Sequence, residues 1–308
     1  MSMNTSLPPD HTDRISRAAV ALDGLSVGDA LGETCFSDGN YEAILADAHA
    51  TARAPWPWTD DTAMALGIFE VLSEHGRIDQ DALARRFATR YQAAPWRGYG
   101  GGAHRLLNQI AGGLPWHAVS ECVFPGGSFG NGSAMRIAPV AAYFASDDYT
   151  VIAVQARLSA EITHAHPEGI AGAVAAAVAG AYAWKHRDQR ADPAVKLGLF
   201  DVVQAHTPPS EVRGGIVRST SIAFDAPVEA VSRLLGNGSR ISCRDTVPFC
   251  VWSAARYLDN YEAAIVNTIR VRGDIDTNCA IVGGIVVQAV GREGIPADWL
   301  RDREELVI

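Results

Sequence analysis

The residues best equipped for chemistry lie in two short acidic stretches near opposite ends of the chain, Trp58-Thr59-Asp60-Asp61-Thr62 and Gly273-Asp274-Ile275-Asp276-Thr277-Asn278. Each packs two carboxylates and flanking hydroxyls into a few positions just ahead of a long apolar run. Neighbouring carboxylates repel, and burying them is expensive unless a cation neutralises them. Folded together, Asp60, Asp61, Asp274 and Asp276, with the hydroxyls of Thr59 and Thr277, would form an oxygen-only donor set. Such a set favours Mg²⁺, Mn²⁺ or Ca²⁺ over zinc or copper. Four carboxylates exceed what one Mg²⁺ usually takes from protein, so a two-metal centre is the natural arrangement. Taken singly, each stretch has a simpler account: Thr59 and Asp60 cap the helix that follows, and Asp274 and Asp276 sit in a solvated turn. An EF-hand is excluded, because the Asp274-x-Asp276-x-Asn278 start is followed by Cys279 where glycine is needed and by Ile285 where glutamate is needed.

Two glycine loops precede helical patterns, Arg97-Gly98-Tyr99-Gly100-Gly101-Gly102 and Pro125 to Ser133. A glycine loop at a helix start offers backbone N–H groups and the positive helix end to an anion. Gly127-Ser128-Phe129-Gly130-Asn131-Gly132 therefore suits a phosphate or diphosphate, with the Ser128 hydroxyl added, although a tight turn without a ligand has the same sequence. No Gly-Lys-Ser/Thr follows it, and no strand precedes it in a Rossmann pattern. His164 and His166 lie two apart with no acidic or cysteine partner nearby, so a polar contact to substrate fits His164 better than zinc. Trp56 and Trp58 could wall the acidic site.

These residues need helices to hold them, and helical periodicity dominates. Apolar residues at helical spacing run from Ile15 to Leu31, where Gly28-Asp29-Ala30-Leu31-Gly32 predicts a break. Residues 33–57 read as loop. Helices follow over 62–74, with Gly76 as a stop, and over 80–92, capped by Asp79. Further helices are predicted to Ile110, over 134–145, from Asp147 or Asp148 to Thr163, and over 169–186. Residues 187–209 read as a variable connection, and helices close the chain over 227–236, 244–258, 260–271 and 278–291. Gly215 to Ile222 is the one weak strand candidate. The pattern is all-α: a disordered tail over residues 1–13, then a single domain over 14–308 with its special residues on interhelical loops.

The chain has 308 residues, 48% of them apolar, and a formal charge of −9. That balance supports a sizeable core and argues against a basic nucleic-acid surface. The most apolar run, 170–183, is too short to span a bilayer. Five scattered cysteines form no C-x-x-C pair, and residues 1–13 contain no apolar signal core, so a reduced, cytoplasmic, monomeric protein is expected.

Six motifs occur in order: Gly28-Asp29-Ala30-Leu31-Gly32, Trp58 to Thr62, Arg97 to Gly100, Gly127 to Arg136, Leu158-Ser159-x-x-x-Thr163-His164, and Gly273-Asp274-x-Asp276-Thr277. This set, spread over residues 15–295, resembles the ADP-ribosylglycohydrolase family, which includes the dinitrogenase reductase activating glycohydrolases. The resemblance implies an all-α fold and two Mg²⁺ (or Mn²⁺) ions held by Thr59, Asp60, Asp61, Asp274, Asp276 and Thr277. It implies removal of ADP-ribose from modified protein side chains or small conjugates. It assigns the diphosphate to Gly127, Ser128, Phe129, Gly130 and Asn131, and the ribose beside the cleaved bond to Gly98, Tyr99, Gly100 and His164. Phe124 and Ser239 fall near the adenine, and Asp60 or Asp61 would position the attacking water. The glycine loops most resemble the serine-linkage branch, which carries a glutamate a few residues after its Gly-Asp-x-x-Gly turn. That position falls on Phe36 here, and Glu33 is the nearby glutamate that could serve instead. Arginine and serine linkages both stay open, as do a non-catalytic ADP-ribose-binding module and an O-acetyl-ADP-ribose hydrolase.

Overall fold

A computed structural model describes residues 7–37, 39–50 and 52–307. Among the described residues, sixteen α-helices follow one another: α1 (His11–Thr34), α2 (Asn40–Ala46), α3 (Asp60–His75), α4 (Gln80–Ala93), α5 (Gly101–Ala111), α6 (Trp116–Ser120), α7 (Ala138–Tyr143), α8 (Tyr149–Glu161), α9 (Pro167–Lys185), α10 (Pro193–His206), α11 (Glu211–Ser219), α12 (Val228–Leu235), α13 (Cys243–Arg256), α14 (Tyr261–Arg270), α15 (Ile275–Val290) and α16 (Ala297–Asp302). Among the described residues the only β pairing is an isolated parallel bridge between Trp56 and Arg303. The all-α expectation holds.

Small residues build the centre. The alanine-rich stretch of α9 from Ala171 to Ala183 is buried throughout, so it packs as a core rod against α8, α10, α13 and α15. The closest association is between α1 and α15. A Cβ placed on Gly24 would lie 2.4 Å from the Val287 Cβ, one on Gly28 2.2 Å from the Cys279 carbonyl oxygen, and one on Gly32 2.7 Å from the Asp276 Cα. These three glycines, one turn apart, let two backbones touch along their length. Tyr261 pins the pair by donating its hydroxyl to the Gly24 carbonyl at 2.5 Å.

This geometry corrects the break predicted at Gly28–Gly32. The helix runs on to Thr34, because these glycines serve close approach and not termination. Residues 33–57 contain the short helix α2, and the connection 187–209 contains α10, whose start is marked by Pro193 and by Asp192 accepting from the Ala194 N–H at 2.8 Å. The strand candidate at 215–222 lies largely in α11, which Ser210 caps at 3.1 Å from the Arg213 nitrogen. Of the expected tail, residues 1–6 lie outside the described residues and His11–Asp13 already form the first turn of α1.

Candidate metal centre and substrate cleft

The N-termini of α3 and α15 converge on one end of α1, so the two acidic stretches meet. Thr59 is the N-cap of α3, with Asp60 and Asp61 in its first turn. Asp274 is the N-cap of α15, with Asp276 in its first turn. The capping account is therefore correct for Thr59, whose hydroxyl accepts from the Asp61 N–H at 3.3 Å. It does not exhaust the site. One carboxylate oxygen each of Asp29, Asp61 and Asp276 lies within 4.8 Å of the others. Asp29 is the member of this cluster that sequence reasoning overlooked. It is fully buried in α1 and accepts from the Thr59 N–H at 3.0 Å, the Thr62 N–H at 3.1 Å, the Thr59 hydroxyl at 2.8 Å and the Thr62 hydroxyl at 2.5 Å. One side chain thus ties the start of α3 to α1. The available signal was an aspartate between two glycines in the buried stretch Gly24 to Gly32 of α1, where burial demands partners.

The electrostatics leave this cluster unbalanced. Burial first, then the Asp29 charge, push Asp60 up to about 7 and Asp61 well above the carboxylate range. Asp276 rises well above it through burial and then Asp274, and Asp29 and Asp274 are raised by burial. The aspartates of the cluster take part in no salt bridge among the described residues. The buried Arg136 is the nearest cation, but it donates to the Ser159 carbonyl and the Thr163 hydroxyl, each at 2.9 Å. Two carboxylate oxygens, Asp61 Oδ1 and Asp276 Oδ1, are buried without a hydrogen-bond partner. Orphaned carboxylate oxygens in a crowd of raised acids are what a hard divalent cation would satisfy, so the residues fit one.

A cavity of about 370 Å³ opens beside the cluster. Asp60, Asp274, Asp276 and Thr277 line one side of it, and Gly98, Gly100, Phe124, Ser128, Gly130 and His164 line others. Gly98, at φ +89, passes so close that a Cβ would lie 3.5 Å from Asp60 Oδ1. Gly127, at φ +84, sits behind the rim, where a Cβ would meet the His166 nitrogen at 2.4 Å. The imidazole of His164 presents its Nε2 edge to Gly130 and Gly132, 3.2 Å from the Cβ position of each. Burial and then the Arg136 charge hold His164 down to about 3, so it is neutral at working pH.

Several predicted residues do other work. The Asn131 side chain donates to Asp274 Oδ2 at 2.6 Å and Thr246 Oγ1 at 3.1 Å, bracing the acidic cluster, and Asn131 also lines the cavity. Ser239 lines a neighbouring cleft instead of this cavity, and Phe129 is an exposed ring packed edge-on against His166. Tyr99 is buried with its ring edge-on to Tyr91 at 5.1 Å. Trp58 is covered by the Arg97 guanidinium, 3.5 Å from its ring centre, and that arginine pairs with Glu304 at 2.6 Å. His166 caps α9 by accepting from the Glu168 N–H at 3.1 Å. Glu33 is half-buried at the end of α1, raised by burial and then by Asp29, while Phe36 is an exposed ring.

The family model for ADP-ribosylglycohydrolase matches residues 10–307. The chain belongs to the ADP-ribosylglycohydrolase family. Among its relatives in the family, human ADP-ribosylhydrolase ARH3 is 28% identical over 94% of this chain and 90% of its own length. A putative ADP-ribosyl glycohydrolase, L543, of Acanthamoeba polyphaga mimivirus is 27% identical over 92% of this chain and 89% of its own. A solved structure titled ADP-ribosylglycohydrolase-related protein complex superposes with a TM-score of 0.67 at 24% identity, covering 95% of this chain and 94% of that one. That likeness is one of fold, over nearly the whole of both chains.

Proposed function

We propose that the chain is a Mg²⁺-dependent hydrolase that removes ADP-ribose from modified protein side chains or small conjugates. The observation that carries the reading is the pair of orphaned oxygens, Asp61 Oδ1 and Asp276 Oδ1, in an acidic cluster whose Asp60, Asp274 and Asp276 line a cavity walled by glycine loops. The names of the relatives point to the same substrate class. Asp60, Asp61, Asp274 and Asp276, with Thr59 and Thr277, are the ligands in this reading, and Asp29 orients Thr59. Divalent cations bound there supply charge neutralisation, orientation of the ribose hydroxyls and polarisation of a water or leaving group.

The chain's own residues do the rest. The Gly127–Gly130 loop receives the diphosphate: its Gly127 and Gly130 N–H groups hold the loop by donating to the Phe124 carbonyl at 2.8 Å and the Ser128 hydroxyl at 3.2 Å, which leaves those of Ser128 and Phe129 for the anion. Cleavage at the anomeric carbon breaks the bond to the leaving nitrogen or oxygen and builds oxocarbenium character, which water then traps. Asp60 lies at the cavity surface beside Gly98 and takes the proton of that water, and Glu33 assists in returning a proton to the leaving group.

His164 is prepared for one task. Arg136 donates to the Thr163 hydroxyl oxygen, and that hydroxyl lies 2.7 Å from His164 Nδ1. With arginine as a donor only, the threonine proton points to Nδ1, and the ring proton sits on Nε2. A neutral imidazole thus donates from Nε2 toward the cavity, where a ribose hydroxyl accepts.

The test is release of ADP-ribose from arginine-linked protein, serine-linked protein and O-acetyl-ADP-ribose, each with Mg²⁺ or with a chelator. The parent is expected to release ADP-ribose from at least one of them only with metal, and Asp61→Asn and Asp276→Asn to lose about 100-fold or more. Release by both variants at the parent rate, or undiminished release in chelator, would sink the reading.

A further inference from the structure

The cavity beside the acidic cluster shares a wall with a second cleft of about 460 Å³. Their common wall is the loop Gly236–Ile241. Its inner edge is fixed to the acidic site: Asn278 donates to the Asn237 carbonyl at 2.7 Å, and a Cβ on Gly238 would lie 2.6 Å from the Asp274 Cβ. Ile241, at φ +50, lines the acidic cavity. Ser239 and Arg240 line the other side.

That other side has the opposite charge. Arg218, Arg233, Arg240 and Arg244 line it against two carboxylates, Glu211 and Asp245, in a chain whose formal charge is −9. Both acids are already engaged: Glu211 pairs with Arg244 at 3.0 Å, and Asp245 accepts from the Arg240 backbone N–H at 2.9 Å. Among the described residues, no carboxylate pairs with Arg218, Arg233 or Arg240, whereas Arg14, Arg86, Arg90, Arg97 and Arg292 each pair with one. Three guanidiniums without a carboxylate partner around one concavity repel and raise the free energy of the empty state, which an anion relieves. Guanidinium forks match phosphate oxygens two at a time. The exposed Phe129 ring, 6.0 Å from the Arg244 guanidinium, adds an apolar face at the border.

We propose that this arginine cleft is a second phosphate site, which takes the diphosphate of a nucleotide-like group while the acidic cavity is separately engaged. Two sources present that chemistry: a second diphosphate-bearing unit of the substrate itself, and a free nucleotide that reports on the acidic site through the shared loop. The site stands on its own charge and shape, and it would survive failure of the hydrolase reading.

The test begins with calorimetric titration of inorganic pyrophosphate into metal-free protein, with binding at the arginine cleft read as the difference between the parent and a variant of that cleft. The parent is expected to show a salt-sensitive binding step that weakens as salt rises. Arg233→Ala with Arg240→Ala, both exposed positions, is expected to keep the parent's thermal melting and to weaken binding at least about tenfold. No binding by the parent, or equal binding by the double variant, overturns the proposal. Once binding is established, two further arms assign the source. If the substrate supplies the group, the double variant raises KM at least about fivefold for a substrate carrying a second diphosphate unit and leaves a single-unit substrate unchanged. If a free nucleotide supplies it, ADP shifts KM for the single-unit substrate in the parent and not in the double variant.

Discussion

Replacing Gly28 by alanine puts one methyl group where the two helices that carry the acids touch. In an ordinary helix interior this change is favourable by about 1 kcal/mol, because alanine loses less backbone entropy. At Gly28 the new Cβ would stand 2.2 Å from the Cys279 carbonyl oxygen and 2.7 Å from its carbon. Carbon atoms need about 3.5 Å, so α1 and α15 must part by roughly 1 Å, and both partners are backbone that cannot rotate away. Overpacking of this kind costs about 1–3 kcal/mol and occasionally more. The net expectation is a loss of about 2 kcal/mol against the parent in urea unfolding. The same separation moves Asp29 away from Asp276, and a displacement near 1 Å at a reacting centre costs about 100-fold in rate. Gly214→Ala is the matched control: it sits in α11, and a Cβ there would meet nothing closer than Arg218 Nη1 at 3.7 Å. That variant is expected to match or slightly exceed the parent in stability and to keep full activity. If Gly28→Ala proved as stable and as active as Gly214→Ala, the claim that α1 and α15 position the site by backbone contact would be wrong.

Three further outcomes follow from the site. Thr163→Val removes the hydroxyl that orients His164, and nitrogen NMR of the ring should show the proton leaving Nε2 for a mixed tautomer, with Thr163→Ser restoring the parent spectrum; an unchanged Thr163→Val spectrum refutes the relay. Glu33→Gln should lower turnover by about 100-fold with little change in KM, as expected of a proton donor, and full turnover in that variant would remove Glu33 from the mechanism. Asp60 holds its proton up to about 7 in the folded metal-free chain, against 3.8 for the ordinary group. Its protonation therefore favours the fold fully below about pH 4 and ceases to do so as pH rises through 7. Metal-free protein should melt higher at pH 5.5 than at pH 8.5, with saturating Mg²⁺ closing the gap, and a higher melting point at pH 8.5 without metal would contradict the raised carboxylates.

The chemistry was easier to read than the framework that positions it. Trp58 to Thr62 and Gly273 to Asn278 stood out because hydroxyls and paired carboxylates ahead of a helix are locally unusual, and their meeting in space is what the fold supplies. Thr59 caps α3 and also donates its hydroxyl to Asp29, so a cap and a tie to α1 are compatible in one residue. Asp29 stayed hidden because its meaning lies in Thr59 and Thr62, about thirty positions away, and nothing near it in sequence reveals them. Gly28 and Gly32 were misread for a related reason: a glycine in a helix marks either an end or a close approach, and only the partner helix decides which. The strand expected near Gly215 failed because Ser210 caps a helix there and Gly215 admits Pro248, whose Cγ is 2.4 Å from the Cβ position. Asn131 and Ser239 show the limit of position alone: the Asn131 side chain is bound to Asp274 and Thr246, and Ser239 lines the neighbouring cleft.

The account turns on whether cations sit between the two acidic stretches. Crystals grown with Mn²⁺ and measured at its absorption edge would answer this directly. The expected result is anomalous density within about 2.0–2.3 Å of Asp61 Oδ1 and Asp276 Oδ1, absent from Asp276→Asn crystals. Density confined to surface carboxylates, with Asp61 and Asp276 bare, would contradict the metal centre and with it the mechanism built on these residues.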